Sequence, residues 1–251
     1  AYFTVEVKPT ITASKQHVGA FSAGDILFNW TAFQIPKGSA RLLNTFVTVR
    51  GTDAADQGDK DIELFFAKSI DDTAPTDLGV INAPVTASGW QNNLIGYQLL
   101  DHSANSIGSS DDLVFMTTLQ AGSRGGGPDV VLRGEDTGLN VGYDTIYVAG
   151  IAQGAYNFST TVLARGGEAA GVTVVETDKG SNDDPDAELI FVPGDILHSE
   201  TDDVLGTVKS VSAFGSSKQD INFKTGTSAI IADNEEIYNV HPVVLKFSFE
   251  Q

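Results

Sequence analysis

Four histidines, His17, His102, His198 and His241, are the side chains best suited to ligate a metal or move a proton near neutral pH. They are far apart in sequence, and none lies in a His-x-His or HExxH spacing. They read as ordinary surface or packing histidines. Carboxylates are more concentrated. Asp53, Asp56, Asp59 and Asp61 share one stretch, and Asp178, Asp183, Asp184 and Asp186 share another. Calcium needs several oxygens around one point, and neither run has the spacing of an EF-hand. Both are expected to be solvated acidic loops. A glycosidase needs two carboxyls at a set separation, and acidic turns account for these residues without catalysis. Gly122-Ser123-Arg124-Gly125-Gly126-Gly127 is glycine-rich, but no helical pattern follows to turn an N-terminus toward a phosphate. It reads as a loop tip whose Arg124 is placed to touch a partner subunit. There is no GxSxG elbow and no GxxxxGK[ST] loop. Asn29-Trp30-Thr31 and Asn157-Phe158-Ser159 match glycosylation sequons by chance. Trp30 and Trp90 stand near loop ends, where they can pack in a core, line a subunit interface or stack on a sugar. No catalytic, cofactor-binding or metal-ligating residue is assigned. The expectation is a protein without cofactors that is not an enzyme.

The elements that position these residues are short. The chain has 251 residues, 26 of them Gly and 8 Pro, and no Cys. It is long enough to bury roughly 70–75% of the surface its unfolded form exposes, so it needs no disulfide staples. Absence of Cys removes disulfides, thiolate metal sites and Cys nucleophiles. The formal net charge is −18. Nucleic-acid binding requires Lys and Arg to displace counterions from phosphates, so neither DNA or RNA nor an anionic membrane is an expected partner. An acidic surface keeps a protein dispersed. No apolar run approaches the ~20 residues of a membrane span. The N-terminal residues Ala1 to Val7 lack the basic start and apolar core of a signal peptide. A small first residue fits removal of an initiator Met, and the expectation is a chain made and used without secretion.

Runs rich in Val, Ile, Thr and Phe recur between turn signals. They are Tyr2–Val7, Ala40–Arg50, Asp61–Ala67, Leu113–Leu119, Thr145–Ile151, Tyr156–Leu163, Val172–Val175, Glu188–Val192, Val204–Val211, Ile221–Lys224 and Val243–Phe249. Many short strands at regular spacing predict an all-β protein of sandwich or barrel type. No amphipathic helix of 12 residues is visible, although a short one fits near Ser88 to Leu94. Alternation is clearest where Val47 and Val49 face away from Phe46, Thr48 and Arg50, and where Val243, Leu245, Phe247 and Phe249 share one face. The polar run Thr177 to Asp186, with Gly180 and Pro185, is the best boundary. It predicts a β-sandwich or jelly-roll-like domain over 1–180 and a small β-barrel module over 181–251. The second part carries 13 acidic and 4 basic residues, net −9 in a much shorter stretch. One internal echo exists: Phe21-Ser22-Ala23-Gly24-Asp25-Ile26-Leu27 against Phe191-Val192-Pro193-Gly194-Asp195-Ile196-Leu197. It reads as two tight Gly-Asp turns leading into strands, with a repeated barrel unit as the alternative.

The second copy of that echo, together with Leu205-Gly206-Thr207-Val208-Lys209-Ser210-Val211 and Ile230-Ile231-Ala232-Asp233-Asn234-Glu235-Glu236-Ile237-Tyr238, resembles small β-barrel modules of virion structural proteins in marine tailed bacteriophages, especially cyanophages. Asp61 to Ser69 and Ile146 to Ala152 resemble phage head-associated β-sandwiches more loosely. The resemblance brings no catalytic residue. It implies a capsid decoration or cement protein that stabilises the head shell, a homotrimer bound to the major capsid protein or other virion proteins, assembled in the host cytoplasm and located in the virion. The pattern of a long helix and extended arm that marks a major capsid protein is absent from the sequence. The alternative is a carbohydrate-binding host-recognition module of a tail fibre or spike.

Overall fold

The computed structural model describes residues 1–50, 60–101, 106–110, 113–117, 130–137, 140–158, 162–178, 187–213 and 218–251. Its strands are β1 (Tyr2–Val7), β2 (Ile26–Pro36), β3 (Ala40–Arg50), β4 (Ile62–Ala67), β5 (Leu94–Leu100), β6 (Ser106–Ser110), β7 (Leu113–Thr117), β8 (Val130–Leu132), β9 (Tyr143–Ala152), β10 (Val174–Asp178), β11 (Ile196–Ser199), β12 (Val204–Val211), β13 (Lys218–Phe223), β14 (Ile237–Asn239) and β15 (Val243–Glu250). Among the described residues, the helical elements are α1 (Ala13–His17), α2 (Ala187–Ile190) and a 3-10 turn at Trp90–Asn93. The protein is all-β.

Two sheets face each other across the larger core. One runs β1-β15-β3-β7-β6, with β8 also on β3; the other runs β2-β9-β4-β5. Every named strand pair is antiparallel, as expected of a sandwich whose outer faces meet water. β15 lies between β1 and β3, so the last strand and the first are neighbours. Its alternation is the expected one: Val243, Leu245, Phe247 and Phe249 are fully buried, while Lys246 is exposed. Phe247 meets Phe33 at 5.3 Å and Phe66 at 5.5 Å, both from the opposite sheet. In β3, Val47 and Val49 share one face as expected, and that face is buried, but Ala40 and Leu42 are buried as well. The parity changes because Ser248 pairs with Asn44 and Phe249 with Leu42, which leaves Leu43 as an extra residue.

A second core gathers Val175, Ile190, Phe191, Leu197, Leu205, Val208, Ile221 and Phe223, among others. Its sheet runs β10-β13-β12-β11-β14. The expected barrel does not close. Edges β10 and β14 do not pair with each other, and the segment 162–165 lies between them. The Asp178 N–H donates to Leu163 O at 2.9 Å, and the Ile237 N–H donates to Val162 O at 3.0 Å. These are isolated bridges, not the continuous staggered ladder that barrel closure requires.

The two cores do not divide the chain where its composition changes. The first gathers residues from Val7 to Phe158 and then Val243 to Phe249; the second runs from Val162 to Ile237. The acidic run 177–186 therefore connects two parts of the second core, since Val175 precedes it and Ala187 follows it. The stretch Glu188–Val192, expected as a strand, instead carries the one-turn α2, closed by Phe191 N–H to Ala187 O at 2.8 Å. The two echo sequences fold as the same turn. Asp25 N–H reaches Ser22 O at 3.0 Å and Asp195 N–H reaches Val192 O at 3.1 Å. Each aspartate carboxylate takes the N–H three residues back, at 2.7 Å from Ser22 and 2.9 Å from Val192. Gly24 and Gly194 supply φ of +92° and +99°, the left-handed position a type II turn demands.

Candidate functional site

Among the described residues, one group of His and Glu side chains close enough to share a metal ion lies where α1 meets the second sheet. Ile11 N–H donates to Val240 O at 2.9 Å. The buried Gln16 donates its amide to Ile11 O at 2.7 Å and Asn239 O at 2.8 Å. Ser14 donates both N–H and hydroxyl to the Asp202 carboxylate, at 2.9 and 2.5 Å. These bonds set α1 against the β11–β12 turn and β14, with His17 at the end of its single turn. His17 Nδ1 then lies 3.3 Å from Glu236 Oε2 and 3.1 Å from the Tyr238 hydroxyl. Tyr238 is fully buried, and its hydroxyl donates to the same Glu236 oxygen. Glu200 reaches in from the end of β11, accepting the Glu236 N–H at 3.2 Å. Ligand atoms of His17, Glu200 and Glu236 all lie within 4.8 Å of one another. Among the described residues, no Lys or Arg pairs with either glutamate.

Neither His198 nor His241 joins this group. His198 is half-buried, and burial holds its imidazole below the usual range against the opposing pull of Asp202. His241 Nδ1 is 3.0 Å from Pro9 O, a packing role. His102 lies outside the described residues, as do Asp53, Asp56, Asp59, Asp183, Asp184, Asp186 and the loop bearing Arg124. Asp61 is half-buried at the head of β4, and Asp178 pairs with Arg165 at 3.5 Å. Asn29 of the first sequon is engaged internally: it accepts Leu78 N–H at 2.9 Å and donates to Gly79 O at 2.8 Å.

Trp30 and Trp90 meet on the outer face of the β2-β9-β4-β5 sheet, 6.2 Å apart, with Phe65 6.0 Å from Trp90 and 5.3 Å from Tyr97. Both indole N–H groups donate to loop carbonyls, Trp30 to Thr76 O and Trp90 to Ala87 O, each at 2.9 Å. The Trp30 bond thus fastens the 76–90 segment to β2, while the Trp90 bond braces that segment internally, and its Leu78 packs with Ile26, Ala149 and Ile151. Tyr97 is 48% exposed at the edge of the group, and its hydroxyl donates to Glu63 at 2.9 Å. Partial burial and the Glu63 carboxylate push this phenol up to about 12 from an ordinary 10.0. Below pH 10 it is protonated folded or unfolded. Between 10 and about 12 the unfolded chain releases the proton while the folded chain keeps it, so stability falls as pH rises. The buried Tyr156 acts in the same direction. Tyr97→Phe is expected to flatten the alkaline loss followed by chemical denaturation; an unchanged alkaline limb contradicts this.

An open groove lined by Lys68, Ile95, Val131, Arg133, Gly134 and Asp136 lies near the β5 edge. Its Asp136 is already paired with Lys37 at 3.0 Å. No helix among the described residues is long and apolar enough to cross a membrane. No protein-family model, no curated protein and no solved structure matches the chain.

Proposed function

We propose that this chain is a non-enzymatic structural protein of a bacteriophage virion, a head decoration or cement protein that reinforces the capsid shell. One observation carries the reading: β15 is held along its length between β1 and β3, tying the first and last strands of the chain into one sheet. Force applied across such a scaffold is borne by whole ladders of hydrogen bonds. Shell reinforcement needs a rigid body of this kind, multiply attached. The net charge of −18 would keep the particles that carry it dispersed.

In this reading the protein works as a homotrimer seated on the major capsid protein, because closed symmetry matches a symmetric lattice. Apolar burial at about 25 cal/mol per Å2 drives attachment. Purified protein is expected to elute with the mass of three chains and to co-sediment with heads of its phage from which it has been stripped. A strict monomer that stays in the supernatant would refute the proposal. The half-exposed Tyr97, which like Trp90 packs against Phe65, favours a second reading, a carbohydrate-binding module of a tail fibre or spike. Glycan-array binding that disappears in Trp90→Ala, with folding retained, would decide for it.

A further inference from the structure

We propose that His17, Glu200 and Glu236 form a binding site for a divalent transition-metal ion of the zinc class, which clamps α1 onto the second sheet. Three segments far apart in sequence supply the donors: His17 and Glu236 are 219 positions apart, and Glu200 and Glu236 are 36. A tetrahedral ion about 2.1 Å from each donor spaces neighbouring donors roughly 3.4 Å apart. His17 Nδ1 and Glu236 Oε2 already stand at 3.3 Å. The full set lies within 4.8 Å, and rotation of the Glu200 and Glu236 carboxylates, both only half-buried, covers the remainder.

Charge points the same way. Two carboxylates are drawn together with no Lys or Arg pairing with either among the described residues. A divalent cation would relieve that repulsion. The donor set selects its class. An imidazole nitrogen with two carboxylates suits zinc and its first-row neighbours, whereas calcium asks for six to eight oxygens. The buried Tyr238 hydroxyl, bonded to Glu236 and adjacent to His17, holds both ligands in orientation, as outer partners of metal ligands commonly do. Three protein donors would leave a fourth position for water or a donor from a neighbouring chain.

An ion here would fasten the chain that follows β1, through α1, to β14 and the β11–β12 turn. The Ser14–Asp202 and Gln16–Asn239 bonds join the same elements, so the ion would add to a junction already built. The site does not depend on where the protein is used.

The test is calorimetric titration of metal-stripped full-length protein with zinc chloride, paired with thermal unfolding. The expected result is one zinc ion per chain and a rise in Tm of roughly 5 °C or more at a hundredfold excess over Kd. Calcium at the same concentration is expected to leave Tm unchanged. His17→Ala and Glu236→Gln should each weaken zinc binding at least about tenfold, the lower range for losing even an outer partner of a metal site. His17 is exposed, so its removal leaves the fold intact. His198→Gln serves as the control and should bind as the parent does. The proposal requires a Kd of about 1 μM or tighter, so no heat and no Tm change at about 100 μM zinc would overturn it, since about 2.7 kcal/mol of stabilisation is due at that hundredfold excess. So would equal binding by the parent and His17→Ala.

Discussion

Phe247→Ala is expected to destabilise the protein by about 3–5 kcal/mol, a fall in Tm of roughly 6–20 °C for a chain of this size. The side chain is fully buried and lies in β15, the strand held on both sides in the first sheet. Phe33, Phe66 and Phe249 surround it at ring separations of 5.3, 5.5 and 6.2 Å. Removing the ring leaves a cavity that strands pinned by ladders on both sides cannot fill by collapsing. Lys246→Ala, one residue earlier on the exposed face, is expected to change stability by no more than about 0.5 kcal/mol. Thermal or urea unfolding of the two variants checks this. Equal effects would mean that β15 is not the centre of the sandwich.

The second large effect is expected where the two cores meet. Arg50, at the end of β3, donates to the Asp195 carboxylate in the turn that leads into β11. The two side chains are only 21% and 9% exposed, so the pair sits between a surface bridge and a buried one. Surface pairs contribute about 0–1 kcal/mol, while removing one partner of a buried pair costs about 3–5 kcal/mol. Asp195→Asn is accordingly expected to cost about 2–3 kcal/mol. The amide oxygen can still accept the Val192 N–H, so the turn survives and the Arg50 charge loses its partner. Adding Arg50→Met should restore part of the loss, because the double variant no longer leaves a half-buried charge unpaired. A double-mutant cycle by urea unfolding measures the coupling. Additive effects of the two substitutions would show that the pair does not link the cores.

How far the sequence revealed these features depended on local regularity. β1 and β3 were legible to the residue, and β15 nearly so, because half-buried strands alternate. β2 was not. Its pairing with β9 shifts register between Ile26 and Phe28 and again between Phe28 and Thr31. Those bulges bury Ile26, Leu27 and Phe28 in succession and erase the period of two. β11 and β14, with four and three residues, are too short to carry a pattern. The acidic run 177–186 looked like a linker from composition, yet apolar residues on both sides of it belong to one core.

The Gly-Asp turns were readable because a turn is specified within four residues. The group at His17 was not readable. Its donors come from a short helix and from the residues that follow β11 and precede β14, whose proximity arises only through sheet pairing, so no spacing rule applies. Trp30 and Trp90 fall between these extremes. Their types announced a packing or binding role, but only the geometry shows the Trp30 N–H fastening a loop and the Trp90 N–H bracing it from within.

The most direct test of the proposed role is an electron-microscopy reconstruction of the phage particle, with the chain located in the density and its copies counted. A head decoration protein should appear in hundreds of copies at symmetric positions on the outer shell, with the six-stranded sheet and the second core resolved as one unit. A few copies confined to the tail tip, or none on the particle, would contradict the account.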